Sequence, residues 1–509
     1  MDPTQGSTPL ICPLTAADPQ VMRAQMRQAR DQGAEMVECR LDMLAVPPDE
    51  QTLRMLLTDA PLPVIATNRA QHQGGRFPGD ERRRLEVLRT AAKLGADYVD
   101  IEMDADADGL PPERTLLSHH DFSCCPDDLD EICRKLQASP AAVGKIAFAA
   151  GSCEDALRAL DVLRGSAKPM ISLAMAESGL LSRLLARKFG AFGTFASLAE
   201  GAESAPGQPT LEQFVQRYRW RRQGPDTRVY GVIGFPVGHS MSPDILNAAF
   251  DAAGHDGTYV PLLVRPGYET LERLLDAIRS RPWLDWRGLS VTLPHKENAL
   301  AYVGPANCDE LTLQIGAANT ITFDEDGSVR ATNTDYAAAL DALCGAMEIT
   351  REDLAGTRVG IIGAGGVARA IVAGLAHYGA EVTVYNRTVI RAHQLAAEFS
   401  CMHGGLDEAE RASAEVIVNC TPLGMHPEPN ATPLRRIPPS TRTVFDTIYN
   451  PIRTKLLRQA AEAGCRTVTG VDMFVNQAAA QYEVWTGKPA PREIMRDVVL
   501  EQLGAEPLG

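Results

Sequence analysis

The first 200 residues repeat one pattern, in which a short apolar run typical of a β-strand alternates with a stretch of helical periodicity. The eight apolar runs begin at Leu10, Met36, Pro63, Tyr98, Thr115, Gly144, Met170 and Gly193. Segments such as DPQVMRAQMRQARDQG lie between them, with apolar residues at helical spacing and a glycine at the end. Eight β/α units of about 25 residues predict a (β/α)8 TIM barrel. An open doubly wound sheet is the alternative, but the repeats lack its glycine-rich phosphate loop.

The rest of the chain is organised differently. A polar segment ends in Gln-Gly-Pro-Asp at residues 223–226, and a new strand pattern begins at residue 228. Another apolar strand, residues 359–362, runs directly into a glycine-rich loop and a helix. The two halves share no motif, so we predict a fusion of two unlike α/β proteins and not a duplication.

Composition limits the classes of partner and compartment. The net charge of −15 repels phosphate backbones, which argues against a nucleic-acid partner but allows a small anion in a local basic cleft. No apolar run is long enough to span a membrane, and the first residues lack the basic and apolar regions of a signal peptide. The 11 cysteines have no metal-ligand spacing, which predicts no metal site and a reducing compartment. We therefore expect a cytoplasmic protein.

The loop after residues 359–362 has the GxGxxA spacing of a dinucleotide site in its required strand–turn–helix context. Gly363 permits the tight turn, Gly365 lets the backbone approach a pyrophosphate, and Ala368 allows close packing of the helix. The next predicted strand ends in Asn386-Arg387-Thr388, where an NAD site normally has Asp or Glu. An arginine there favours a 2′-phosphate and therefore NADP, although a solvated loop arginine is the alternative.

Lys296 and Asp335 lie in loops rich in Gly, Asn and Thr that follow predicted strands, where functional residues concentrate. Reduction of a carbonyl by a nicotinamide needs a proton donor beside the developing alkoxide, and a lysine oriented by an aspartate can supply one. The Ser, Thr and Asn side chains nearby suit a polyhydroxylated ligand. A lone Lys or Asp is more often a surface group, so this pair is a hypothesis.

Residues 228–505 resemble shikimate dehydrogenase. The resemblance is carried by GFPVGHSMSP, SVTLPHK, GAANT, NTDYAAAL, GAGGVARA, NRT, NCTPLGM, DTIYNPIRTKLL and GVDMFVNQAAAQYEVWTG. It implies Lys296 and Asp335 as the catalytic pair, and a shikimate pocket lined by Ser240, Ser242, Ser290, Thr292, Asn319, Tyr449 and Gln477. The implied NADP contacts are Gly363, Ala364, Gly365, Gly366, Val367, Asn386, Arg387, Thr388, Thr421, Gly470 and Met473. It also implies a substrate domain, 228–335, completed by a C-terminal helix, 474–505, and a Rossmann NADP-binding domain, 336–473.

Lys145 and His120 lie at the ends of the sixth and fifth predicted strands. A lysine among apolar neighbours loses the hydration that favours its charged form, which makes it a candidate Schiff-base nucleophile. A lysine that reaches solvent at the barrel rim is the alternative. Adjacent parallel strands bring both residues to the C-terminal face of a barrel, where barrels carry their chemistry.

Residues 8–222 resemble type I 3-dehydroquinate dehydratase. The matching motifs are VECRLD, an Arg followed by Gly-Gly, SHHDF, GKIA, the Ser-Arg at 182–183 and SAPGQ at 204–208. The resemblance implies that Lys145 forms the imine and that His120, selected over His119 by the spacing in the family motif, removes the proton beside the imine carbon. The implied substrate-binding residues are Glu38, Arg40, Arg69, Arg183, Ser204 and Gln208.

Gln73 departs from that family. The usual Arg-x-x-x-Glu-Gly-Gly segment reads RAQHQGG at residues 69–75, so Gln73 replaces a glutamate expected near His120. A glutamate would raise the pKa of the imidazole and orient the ring, whereas glutamine can only orient it. We predict an active dehydratase with a pH–rate profile displaced to lower pH. Glu102 is a candidate for supplying the missing charge.

The two implied reactions are consecutive, because dehydration of 3-dehydroquinate yields 3-dehydroshikimate, the ketone that the second half would reduce to shikimate with NADPH. We therefore predict a bifunctional lyase and oxidoreductase with small-molecule substrates. Two alternatives stay open. The second half could prefer quinate and NAD, against which Thr292 and Arg387 argue. One half could instead be a non-catalytic binding or regulatory module. The presence of both Lys145 with His120 and Lys296 with Asp335 argues against this.

Overall fold

The structure is a computed structural model that describes residues 8–77 and 80–504. The strands are β1 Leu10–Leu14, β2 Met36–Arg40, β3 Val64–Thr67, β4 Tyr98–Glu102, β5 Thr115–Asp121, β6 Val143–Ala149, β7 Met170–Met175, β8 Thr194–Phe195, β9 Arg228–Gly234, β10 Gly257–Leu263, β11 Trp286–Val291, β12 Thr320–Phe323, β13 Val329–Thr332, β14 Arg358–Ile362, β15 Glu381–Asn386, β16 Met402–Gly405, β17 Val416–Asn419, β18 Thr443–Asp446 and β19 Arg466–Val468. The α-helices are α1 Pro19–Asp31, α2 Glu50–Leu57, α3 Glu81–Lys93, α4 Leu129–Ala138, α5 Cys153–Gly165, α6 Leu180–Leu184, α7 Ser242–Ala252, α8 Tyr268–Arg279, α9 Lys296–Val303, α10 Glu310–Ile315, α11 Asp335–Met347, α12 Gly366–His377, α13 Val389–Glu398, α14 Lys455–Glu462, α15 Gly470–Thr486 and α16 Arg492–Gln502.

Strands β1 to β8 form a parallel sheet that curls into a barrel. Each strand from β1 to β7 pairs with the next along the chain, and β8 pairs with β1. Between β7 and the segment leading into β8, the backbone N–H of Phe192 donates to the carbonyl of Met170 at 2.8 Å. This strand order confirms the predicted TIM barrel.

The inside of the barrel follows the two-residue alternation of its strands. The apolar floor includes Ile11, Met36, Ile65, Leu116, Val143 and Ile171. On β2, β5 and β6, the residue two positions after the floor residue is polar or charged: Glu38, Ser118 and Lys145. Because side chains alternate along a strand, these three also point into the barrel. The same alternation directs His120 inward and His119 outward, which is a structural reason to prefer His120.

The second sheet has the order β10-β9-β11-β12-β13. Strand β9 pairs with β10 and β11 in parallel, whereas β12 pairs with β11 and β13 in antiparallel. Helices α15 and α16 return to it, since Tyr482, Trp485 and Met495 share an apolar cluster with Phe250 of α7. The single helix predicted over 474–505 is thus two helices, of which the first begins at Gly470 and the second at Arg492. The predicted end at residue 505 lies outside the described residues.

The third sheet is wholly parallel and has the order β16-β15-β14-β17-β18-β19. The strand order reverses between β14 and β17, and doubly wound sheets bind their ligands at such a point. This topology confirms the predicted Rossmann fold. Across the described ranges, no helix is long and apolar enough to cross a membrane.

Candidate active sites

The N-terminal site is built around Lys145, whose side chain is 6% exposed inside the barrel. Its Nζ donates to Oδ2 of Asp100 at 2.8 Å and to Oε1 of Glu38 at 3.3 Å. Nζ also lies 4.6 Å from the centroid of the Phe195 ring. Two carboxylates offset the cost of burying the ammonium, and Glu38 is the one that can accept a proton from it.

His120 lies on the neighbouring strand, with Gln73 against its imidazole. Oε1 of Gln73 accepts from the backbone N–H of His120 at 3.0 Å and lies 3.2 Å from Nδ1. Because that oxygen is an acceptor, Nδ1 carries the proton and Nε2 is left as the basic nitrogen. Burial and the positive charges of Arg69 and Lys145 lower the pKa of His120 well below its usual value. The imidazole is therefore neutral at pH 7 and able to act as a base.

A network of buried charged and polar side chains contacts Lys145 through Asp100. Arg69 pairs with Asp100 at 2.7 Å and with Glu102 at 3.1 Å, and Ser118 donates to Asp100 at 2.6 Å. Burial alone would raise the pKa of Asp100, but the charges of Arg69 and Lys145 hold it well below its usual range. Sequence reasoning missed Asp100 and Ser118. The available signal was the two-residue spacing of Asp100 and Glu102, which places both on the inner face of β4.

Glu102 forms ion pairs with two arginines and does not contact His120. Its carboxylate lies 2.7 Å from Arg84 and 3.1 Å from Arg69, and it accepts from the backbone N–H of Ala70 at 3.0 Å. Asp100 is the carboxylate whose charge raises the pKa of His120. The charge missing at position 73 is thus partly supplied from a different strand.

Arg183 and Gln208 are buried with free hydrogen-bond donors. Within the described ranges, Nε of Arg183 and Nε2 of Gln208 have no partner, and burial lowers the pKa of the 1% exposed Arg183 to about 10. The carbonyl oxygen of Gln208 accepts from the backbone and hydroxyl of Ser204 at 3.0 and 3.2 Å. Arg40, in contrast, is held by both oxygens of Asp42 at 2.9 and 2.8 Å. A free buried guanidinium is suited to an anionic ligand.

The C-terminal site brings Lys296 and Asp335 together at the starts of α9 and α11. Nζ of Lys296 donates to Oδ2 of Asp335 at 2.5 Å, and Nδ2 of Asn319 donates to Oδ1 at 2.8 Å. Both carboxylate oxygens are occupied, so the aspartate is fixed and in turn orients the lysine. This arrangement can deliver a proton from an ammonium to a nearby oxygen.

The pair lies in a cleft of about 420 Å³. Its lining includes Ser240, Ser242, Ser290, Thr292, Asn319, Tyr449 and Gln477 from the predicted substrate set, and Val367, Gly470 and Met473 from the predicted cofactor set. The structure therefore brings residues of both predicted sets to one cleft.

Ser290 is held by two residues that sequence reasoning missed. Its hydroxyl accepts from Tyr259 at 2.6 Å and donates to Oε1 of Gln481 at 2.7 Å. Gln481 lies four residues after Gln477 on α15, and that spacing places both amides on one face of the helix. Helical spacing from Gln477 was the signal available for Gln481.

The glycine-rich loop after β14 has the space that a pyrophosphate requires. Gly363 has a φ of 112°, and a Cβ added there would lie 3.0 Å from Cγ2 of Thr421. A Cβ added at Gly365 or Gly366 would meet no atom within 4 Å, so the N-terminus of α12 is open to a ligand. Arg387 is exposed just after β15. These residues fit a dinucleotide with a 2′-phosphate.

Family models divide the chain as the two sites do. A model described as type I 3-dehydroquinase matches residues 10–225, and one described as shikimate dehydrogenase substrate binding domain matches residues 232–321. Models of shikimate / quinate 5-dehydrogenase and of the shikimate 5′-dehydrogenase C-terminal domain match residues 346–423 and 470–500.

One relative spans both halves. The chloroplastic bifunctional 3-dehydroquinate dehydratase/shikimate dehydrogenase of Arabidopsis thaliana is 38% identical, over 95% of this chain and 83% of that protein. The chain belongs to this bifunctional family. The match confirms the family predicted from the motifs of the two halves.

The dehydrogenase half of this bifunctional enzyme also has separate relatives. The NADP(+) shikimate dehydrogenase of Methanosarcina acetivorans is 42% identical, over 55% of this chain and 99% of that protein. A crystal structure of a shikimate dehydrogenase in complex with NADP+ has a TM-score of 0.50 at 32% identity, over 55% of this chain and 96% of that one.

Proposed function

We propose that the barrel of this bifunctional enzyme converts 3-dehydroquinate to 3-dehydroshikimate through a Schiff base on Lys145, and that the second half reduces the product to shikimate with NADPH. The observation that carries the first reaction is the buried amine of Lys145, which lies 2.8 Å from Asp100. The neutral imidazole of His120 is on the neighbouring strand. The second reaction is supported by the Lys296–Asp335 pair in a cleft that the predicted substrate and cofactor residues share.

The dehydration uses Lys145 as nucleophile and His120 as base. Glu38 accepts a proton from Nζ, and the free amine attacks the ketone carbon of 3-dehydroquinate. Loss of water gives the imine, which acidifies the adjacent C–H bond. Nε2 of His120 takes that proton and returns it to the hydroxyl that leaves as water. Hydrolysis of the imine then releases 3-dehydroshikimate and regenerates the amine.

Arg183 and Gln208 supply the donors that the substrate needs. The substrate carboxylate pairs with the buried guanidinium of Arg183, and the free amide of Gln208 together with Ser204 binds a hydroxyl or carboxylate oxygen. Glu38, Arg40 and Arg69 complete the polar shell around the ring.

The reduction relies on Lys296 as proton donor. When bound, NADPH supplies the hydride that reaches the ketone carbon. Lys296 donates a proton to the carbonyl oxygen as negative charge develops there, and Asp335 keeps the lysine oriented. The hydroxyls of Ser240, Ser242 and Thr292 bind those of the ring. Arg387 pairs with the 2′-phosphate of the cofactor.

We also propose a cytosolic location. It is supported by the absence of disulfides in the part of the chain that the structure describes, where the 11 cysteines are free. Cell fractionation with antibodies to this chain tests it, and recovery in an organelle would contradict it.

Reductive trapping tests the dehydratase half. Incubation with 3-dehydroquinate and borohydride is expected to add the mass of the reduced substrate to the peptide that contains Lys145. The Lys145→Met variant, of similar length and without an amine, is the control and should acquire no mass. No adduct on the wild-type chain would make the barrel a binding module.

Four substrate–cofactor pairs test the dehydrogenase half. Shikimate and quinate are each oxidised with NADP+ and with NAD+, and nicotinamide absorbance is followed. We expect the highest kcat/KM for shikimate with NADP+. A higher value for quinate with NAD+ would replace the proposed reaction with the alternative one.

A further inference from the structure

The barrel half reaches the substrate site of the dehydrogenase half. Ser240 lies in the loop between β9 and α7, residues 235–241, which lines the cleft of Lys296 and Asp335. The backbone N–H of Ser240 donates to the carbonyl of Val237 at 3.0 Å. The carbonyl of Ser240 accepts from a terminal nitrogen of Arg217 at 2.6 Å, and Arg217 belongs to the barrel half.

Arg217 is itself held against helix α7. Its Nε lies 3.2 Å from Oδ2 of Asp244, and its side chain is 19% exposed. Its backbone carbonyl accepts from Nδ2 of Asn247 at 2.8 Å. One side chain of the barrel half thus joins the loop to the helix that follows it. A charge-assisted hydrogen bond that is largely shielded from water is among the stronger contacts available to a loop.

A second barrel segment confines the same loop. A Cβ added at Gly238 would lie 3.0 Å from Oε1 of Glu177, which follows β7. The loop is therefore close to two separate segments of the barrel half. The separate shikimate dehydrogenases that match only the second half have no barrel to supply these contacts.

We propose that Arg217 is a positioning residue for the dehydrogenase reaction, which holds the Ser240 loop in the shape that binds the hydroxylated ring. The barrel half then sets part of the affinity of the other half for its substrate. This inference rests on the proposed function, because it concerns binding of shikimate and 3-dehydroshikimate.

The test separates substrate binding from the other steps. In Arg217→Met we expect the KM for shikimate to rise about tenfold. The kcat, the KM for NADP+ and the dehydratase kinetics should stay within about twofold, because Arg217 touches none of those groups. Arg217→Lys keeps a charged donor and should restore part of the KM.

Arg281→Met is the matched control. Arg281 of the dehydrogenase half pairs with Asp161 of the barrel at 2.7 Å, so this variant also breaks a contact between the halves, but away from the Ser240 loop. We expect it to keep the wild-type KM for shikimate.

An unchanged KM for shikimate in Arg217→Met overturns the proposal. A parallel loss of dehydratase activity, or an equal rise of KM in Arg281→Met, overturns it too, since either shows a general role in domain docking. Failure of the proposed function is distinguishable, because the wild-type chain would then not oxidise shikimate with NADP+ at all.

Discussion

At the residue scale, burial and neighbouring charge decide the chemistry of each side chain. Lys145 and Arg183 are both buried cations, yet Lys145 has two carboxylate partners and Nε of Arg183 has no hydrogen-bond partner among the described residues. The first can pass a proton to a partner, and the second can only bind an anion from outside. His120 stays neutral because burial, together with its positive neighbours, lowers its pKa.

Gln73→Glu should move the pH dependence of the dehydratase. A carboxylate at the position of Oε1, 3.2 Å from Nδ1, stabilises the imidazolium and raises the pKa of His120. Because His120 acts as a base in its neutral form, the acid limb of the kcat profile should move to higher pH, by about one pH unit. The measurement is kcat for 3-dehydroquinate across pH.

Gln71→Glu is the control for that variant. Gln71 lies in the same turn and donates to the carbonyl of Phe77 at 3.0 Å, so the same charge is added away from the imidazole. We expect little movement of its acid limb. Identical profiles for wild type and Gln73→Glu would refute the role given to residue 73.

Arg183→Met should stabilise the free enzyme while disabling it. Burial lowers the pKa of Arg183 to about 10, which corresponds to a folding cost on the order of 3 kcal/mol. The charged form bears this cost below pH 10, and the cost falls as the pH rises through 10. At pH 7 the variant should raise the Tm by several degrees and lower kcat/KM for 3-dehydroquinate by about 100-fold. A lower Tm would show that the guanidinium is paired in solution.

At the scale of elements, the barrel strands themselves carry the N-terminal site, whereas a loop after a strand carries the dinucleotide site. His120 is near the end of β5 as predicted, but Lys145 is the third residue of β6 and not at its end, and the glycine loop lies between β14 and α12. These strands are apolar runs whose alternation and order could be read from the sequence. The glycine loop is open to a ligand, because a Cβ added at Gly365 would meet no atom within 4 Å.

Two substitutions in the glycine loop should separate folding from cofactor binding. Gly365→Val places its side chain in open space, so the Tm should hold while the KM for NADPH rises about tenfold or more. Gly363→Ala meets Thr421 at a φ of 112° and should lose about 1–3 kcal/mol of stability. Thermal unfolding and NADPH titration measure both, and the reverse ranking of the two Tm values would contradict the geometry.

At the scale of the whole molecule, the two sites belong to different sheets. Lys145 is on the barrel sheet, and Lys296 begins helix α9, which comes after β11 of the second sheet. The halves are joined by ion pairs such as Arg219–Asp251 and Arg281–Asp161, both at 2.7 Å. This arrangement favours two chemically independent centres, with Arg217 of the barrel half in contact with the Ser240 loop of the other.

Lys145→Met should abolish dehydration and leave shikimate oxidation within about twofold, and Lys296→Met should do the opposite. An equimolar mixture of the two variants should convert 3-dehydroquinate and NADPH to shikimate, because the intermediate diffuses between chains. Each half reaction and the coupled reaction are assayed separately. A mixture that makes no shikimate would show that the intermediate is not released.

The sequence by itself determined the barrel, the Rossmann fold, the family and the residue pairs proposed as catalytic. Strand alternation, helical spacing and the glycine loop are short-range patterns, which a single segment displays without its partners. The chain order of eight apolar runs was sufficient for the barrel because consecutive parallel strands are neighbours.

Only the tertiary structure decided which charges meet. Lys145 and Asp100 are 45 residues apart, and Ser290 and Gln481 are 191 apart. Such pairs depend on barrel closure and on the return of α15, so no local pattern predicts them. The same holds for Glu102, which pairs with arginines instead of His120, and for Arg217 at the carbonyl of Ser240. Contacts between distant segments are set by packing, whereas periodicity reports only which face of an element is buried.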